Sequence, residues 1–154
     1  MEARGPQQVA GRWPGGEGRS MNVILRRAAA LFLALHGLIH IMGFVAAWQL
    51  ATLPELAYRT TALNGAVEIG DLGARLVGIG WIVGGGALVV AASGIRRSAP
   101  WAFRGAVLAA TVSTVICAIG LPDASMGLAI DVAILMGSCL RVSGRSARLG
   151  SFVR

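Results

Sequence analysis

The chain has 154 residues, 55% of them hydrophobic and 14% charged, with a formal charge of +7 and a mean hydropathy of +0.68. An ordinary soluble domain carries about a quarter charged residues, so this chain has too few to cover a water-facing surface, and its apolar content excludes disorder throughout. Its 22 glycines follow no collagen period, which leaves an all-α integral membrane protein with room for about four crossings.

Residues 1–20 contain Gly, Pro, Gln and Arg without apolar periodicity and are expected to form a disordered extension. Met21, followed by Asn22, an apolar stretch and Arg26-Arg27, reads as an alternative translation start. The first predicted span covers 28–48, long enough at 1.5 Å per residue for a bilayer core of about 30 Å. It exceeds a signal-peptide core, and no small-x-small cleavage site precedes a polar start, so it reads as an uncleaved helix. A loop over 49–70 follows, where Pro54-Glu55 resembles a helix start. Leu56, Ala57, Tyr58 and Leu63 suit a short interfacial helix or a lid. The second span covers 72–92. The third covers 100–121 and opens on a proline at a tolerated first-turn position. The fourth, 124–140, is the shortest and carries Asp131; a basic tail fills 141–154. The runs are continuous instead of alternating, which favours helices over a membrane barrel. The expected fold is a four-transmembrane-helix bundle.

All 14 basic residues are arginine, which with the abundant Ala and Gly suggests a GC-rich bacterial genome. Eleven of them fall before the first span, between the second and third, or after the fourth, and Arg104 lies one turn into the third span at the same end; only Arg59 and Arg75 fall on the other side. The positive-inside rule then predicts both termini in the cytoplasm of a bacterium, with the chain in its plasma (inner) membrane. The expected partners of the basic ends are the lipid bilayer and its anionic headgroups, in preference to nucleic acid.

Helices in lipid associate where backbones approach closely, so small residues mark contact faces. Gly80 and Gly84 on the second span, Ala106 and Ala110 on the third, and Gly137 on the fourth are the expected packing positions. The Gly84-Gly85-Gly86 run reads as a packing notch, since no strand precedes it and no Lys-Ser/Thr follows. Cys117 and Cys139 differ in depth by roughly 16 Å along their helices, beyond the roughly 7 Å limit for a disulfide.

His36 and His40 stand four apart on one helical face, with Gly43 and Ala47 continuing it. Intramembrane ionisable groups are functional candidates by default. The plainest expectation is two neutral histidines hydrogen-bonded to a neighbouring helix or to Asp131. A proton-responsive site and a zinc or copper site, with His36 and His40 as metal ligands and carboxylates completing it, are the alternatives. By depth, Glu68, Asp71, Arg75 and Asp131 gather toward the outer half, and Asp71 can pair with Arg75 one turn on. A polar pocket of these residues, open to the outside with His40 and Asp131 at its floor, is the expected site. Two histidines on one turn cannot bind opposite faces of one haem iron, and no resident cofactor is predicted.

Three segments resemble a family of small bacterial four-helix membrane proteins. They are His36-Gly37-Leu38-Ile39-His40-Ile41-Met42-Gly43-Phe44, the stretch from Arg75 to Trp81, and Asp123-Ala124-Ser125-Met126-Gly127 with Asp131 after it. Members carry an amide in the fourth helix where this chain has Asp131. The resemblance implies the four-span topology and assigns no reaction. No nucleophile–base pair, HExxH motif or nucleotide loop marks an enzyme. The expected role is a non-enzymatic structural or transport-associated membrane component, as a homo-oligomer or within a larger complex. The alternatives are a small redox or metal-binding protein and a proton- or solute-coupled transporter.

Overall fold

The computed structural model describes the backbone of residues 16–150 and the side chains of residues 22–139. Four helices run in the order α1 (Gly16–Ala47), α2 (Gly70–Arg97), α3 (Ala102–Ile119) and α4 (Ser125–Gly150). A two-stranded antiparallel hairpin, β1 (Thr61–Ala62) with β2 (Val67–Glu68), lies between α1 and α2. Three helical segments are long and apolar enough to cross a membrane: Asn22–Ala47, Gly70–Arg97 and Ala102–Ile119. The apolar part of α4, Ser125–Cys139, is shorter. These three helices mark a helical membrane protein.

Helix α1 is described from Gly16, inside the stretch expected to be disordered. Residues 1–15 lie outside the described chain. At the other end α4 continues as helix to Gly150, through most of the expected tail. The side chains of Arg141, Arg145 and Arg148 lie outside the described residues.

The loop after α1 forms the hairpin instead of an interfacial helix. Leu63, Asn64 and Gly65 all adopt positive φ, the tight reversal that an Asn-Gly pair favours. Its backbone is tied to the turn between α3 and α4 by Leu63 N–H to the Ile119 carbonyl at 3.0 Å and Asn64 N–H to the Leu121 carbonyl at 3.1 Å. At the opposite end, α2 stops where Ser98 enters the left-handed region and its N–H bonds the Gly94 and Ile95 carbonyls. Pro100 follows, and Arg26 of α1 donates to the Ser98 hydroxyl. This is the arginine end of the bundle; the hairpin marks the loop end.

Successive helices pack on one another, α1 on α2, α2 on α3 and α3 on α4. Outward faces carry Leu31, Leu35, Leu38, Leu72, Ile79 and Leu108, all exposed, while the interior is mostly alanine and glycine. That arrangement suits lipid, where packing of small residues replaces the hydrophobic effect between helices. Gly37 and Gly85 meet backbone to backbone: a Cβ at Gly37 would lie 2.6 Å from the Gly85 carbonyl oxygen. An apolar layer of Leu33, Leu88, Ala91, Ala92, Ala106 and Ala109 fills the bundle toward the arginine end. Trp81, Cys117 and Ala124 form a second cluster toward the loop end. The polar centre lies between the two.

Candidate functional site

The centre is assembled by glycines. Gly37 and Gly85 bring α1 against α2, and at Gly84 the added methyl would meet His40 Cδ2 at 3.6 Å and Ser113 Cα at 3.9 Å. Helix α2 is therefore thin where the His40 ring passes over it to reach α3. Gly127 does the same on α4: a methyl there would meet Cys117 Sγ at 3.0 Å and His36 Cε1 at 3.8 Å.

Four side chains form one hydrogen-bonded chain across three helices. His36 Nε2 lies 2.9 Å from Asp131 Oδ1. The Ser113 hydroxyl lies 2.5 Å from Asp131 Oδ2 and 2.8 Å from His40 Nε2. His40 Nδ1 lies 3.0 Å from the His36 carbonyl oxygen, which can only accept, so Nδ1 carries the hydrogen. The Cys117 thiol donates to Asp131 Oδ2 at 3.5 Å. Asp131, Ser113 and Cys117 have no exposed surface, and the histidines almost none. Burial of this depth requires polar groups to be paired, and these are.

A cavity of about 150 Å³ runs from this centre toward the loop end. His36, His40 and Gly43 of α1 face Gly127 and Ile130 of α4 across it, with Trp81 and Cys117 behind. The Trp81 ring stands edge-on to His40, with centroids 5.0 Å apart. Leu56 and Asp123 form the rim. Its size admits several waters and falls short of a typical small-molecule pocket.

The loop is clasped over this rim. Arg59 donates to both Asp123 carboxylate oxygens, at 2.9 and 3.1 Å. The Tyr58 hydroxyl donates to Asp71 at 2.5 Å. That bond, and the charge beside it, push the Tyr58 phenol above its ordinary value of 10.0. Trp48 donates to the Arg75 carbonyl at 3.2 Å, and the Arg75 guanidinium lies over its ring.

Of the residues expected in the pocket, the structure brings His36, His40 and Asp131 together. Glu68, Asp71 and Arg75 are exposed on the loop and the start of α2. Asp71 bonds Tyr58, and Arg75 covers Trp48, in place of the expected Asp71–Arg75 pair. Of the packing positions, Ala106 and Ala110 are buried, Gly84 faces His40, and Gly80 faces Ile116. Gly137 has open space where a side chain would start. Ser113, which links the two sides of the centre, carries no sequence signal of its own, and Gly37 stood only within the His36–Phe44 motif, not among the expected packing positions.

The chemistry of the donor set can be tested on its geometry. Ligand atoms of His36, His40 and Asp131 lie within 4.8 Å of one another. A tetrahedral zinc ion at about 2.1 Å from each would hold its ligands roughly 3.4 Å apart. It would also displace the bonds that His40 makes to Ser113 and His36 makes to Asp131. The set is bonded to itself. Nor is it a hydrolytic triad: there histidine stands between serine and carboxylate, whereas here the serine stands between histidine and carboxylate. No family model matches the chain, and neither curated proteins nor solved structures contain a similar one.

Proposed function

We propose that the protein is a non-enzymatic, transport-associated component of a bacterial plasma membrane, whose working centre binds protons from the outer medium. In this reading the chain crosses four times with both termini cytoplasmic, and the arginine end faces anionic headgroups. The charge distribution supports that orientation: Arg26, Arg27, Arg96, Arg97 and Arg104 gather at one end of the helices, Glu55, Glu68, Asp71 and Asp123 at the other. The likeness of His36–Phe44 to the bacterial four-helix family supports the topology. Four helices enclose little space, so a homo-oligomer or a larger membrane complex is the proposed working form.

The observation that carries the proton reading is the chain His40–Ser113–Asp131–His36 at the floor of a cavity on the loop side, with an apolar layer beneath it. Histidine titrates near neutrality, and a carboxyl group at bonding distance makes a proton-binding unit. The groups facing it are His36 and His40 from α1, Ser113 and Cys117 from α3, and Asp131 from α4, with Asp123 at the rim held by Arg59. Helix α2 presents Trp81, Gly84 and Gly85 there and no charged group among the described residues.

The chain contains two histidines, so ¹⁵N-histidine labelling reads this centre alone. In liposomes holding the full chain in one orientation, acidifying the medium on the loop side is expected to change the imidazole signals. Acidifying only the other side is expected to leave them unchanged. Signals indifferent to loop-side acid, or a stoichiometric metal ion in the purified protein, would overturn the proposal.

A further inference from the structure

Resting on the proton-binding reading, we infer that the centre holds one proton more than an ionised Asp131 and two neutral histidines supply, and that this proton is shared between Asp131 and His40 through Ser113. The inference follows from counting hydrogens. His40 Nδ1 must carry one, because its partner is a carbonyl oxygen. Ser113 has a single hydroxyl hydrogen, yet its oxygen lies 2.8 Å from His40 Nε2 and 2.5 Å from Asp131 Oδ2. With Asp131 ionised and His40 neutral, that one hydrogen serves only one neighbour. The other contact then sets two lone pairs against each other inside bonding distance, between groups with almost no exposed surface.

One added proton satisfies both contacts, and it has two positions. In the uncharged form Asp131 Oδ2–H donates to Ser113, and Ser113 donates to His40 Nε2. In the charged form His40 Nε2–H donates to Ser113, and Ser113 donates to ionised Asp131. Conversion breaks the Asp131 O–H bond as Ser113 Oγ takes that proton, while the original Ser113 O–H breaks and its proton bonds His40 Nε2. Ser113 ends with one hydrogen as it began, and no heavy atom moves. His36 Nε2–H donates to Oδ1 in both forms. Both forms carry no net charge, and apolar surroundings favour the form without separated charges. A consequence is fixed opposite tautomers: hydrogen on Nε2 in His36, on Nδ1 in His40.

The test uses the full chain in lipid at neutral pH, with ¹⁵N-histidine spectra and infrared spectra of the carboxyl groups. The expected result is a carboxylic-acid C=O stretch that Asp131→Asn removes, with the two histidines in opposite tautomers. An imidazolium at His40 beside an ionised Asp131 also supports the inference, placing the same proton at the other end of the relay. Asp131→Asn is expected to shift the His40 Nε2 signal in the otherwise native chain. That shift is lost in a Ser113→Ala background and restored with Ser113→Thr, which a merely space-filling serine would not produce. Ionised Asp131 with both imidazoles neutral overturns the inference, as does a His40 response to residue 131 that survives Ser113→Ala. Either result leaves the loop-side acid response as a separate measurement, so the inference can fail while the proton-binding reading stands.

Discussion

His36 Nε2 bonds Asp131 Oδ1 at 2.9 Å across the cavity, and this bond joins the first helix of the chain to the last. Its partners approach from helices that are otherwise linked through α2 and α3, so it closes the bundle at the level of the polar centre.

Substitutions at Asp131 therefore separate hydrogen bonding from charge. Asp131→Asn keeps an acceptor for His36 and supplies an N–H donor for Ser113, and is expected to change stability by less than about 1 kcal/mol. Asp131→Leu leaves the His36 N–H buried without a partner, at about 1–3 kcal/mol, while the Ser113 hydroxyl keeps its bond to His40. Denaturant-induced unfolding in detergent micelles measures the difference. Equal losses in the two variants would show that packing, not the bonds, holds α4 in place.

The contact of Gly37 with Gly85 gives a steric prediction. Gly37→Leu drives a side chain into the Gly85 carbonyl and the Leu88 and Val89 side chains. It is expected to cost about 1–3 kcal/mol or more and to weaken the His40–Ser113 bond by prising α1 from α2. Gly86→Ala points into open space and is expected to be neutral or to stabilise by up to about 1 kcal/mol. Thermal unfolding of the two variants side by side would reverse the assignment of the contact face if Gly86→Ala were the damaging one.

Tyr58 is the sole tyrosine, so its ultraviolet titration is unambiguous. Its phenol donates to Asp71, and ionising it loses that bond and sets two negative charges together, which raises the midpoint above 10.0. The bond's support for the loop is present below the unfolded phenol's pKa and is lost as pH rises through the folded one. Asp71→Ala is expected to lower the midpoint toward the ordinary value. An unchanged midpoint in that variant would mean the phenol has another partner.

Metal content bears directly on the centre's chemistry. Protein purified without chelator is expected to hold far less than one equivalent of zinc or copper, and chelation is expected to leave its unfolding unchanged. One equivalent of either metal, lost in His40→Ala, would replace the protonic centre by a metal centre.

Much of the architecture was legible in composition, since uninterrupted apolar runs have few alternatives to helices in lipid. His36, His40 and Asp131 stood out because so few ionisable groups interrupt those runs. Ser113 did not, and the reason is physical. Serine and threonine in apolar helices commonly bond carbonyls of their own helix, as Thr111 does to Val107, Thr114 to Ala110 and Ser138 to Ile134. Ser113 instead bonds side chains on two other helices, and nothing in its neighbouring residues distinguishes it. Depth along a helix was also an incomplete guide. Asp71 and Arg75 lie at the expected level near the start of α2, but their azimuth turns them away from the centre. The hairpin was not anticipated: Pro54-Glu55 suggested a helix in the same loop, whereas the turn forms at Asn64-Gly65.

The layer of Leu33, Leu88, Ala91, Ala92, Ala106 and Ala109 separates the polar centre from the arginine end with apolar side chains alone. On the proton-binding proposal, a hydrogen ion that reaches His36 or His40 from the loop side meets this apolar layer next. In that reading each copy would sample the acidity of a single compartment, as a gauge wired to one terminal does.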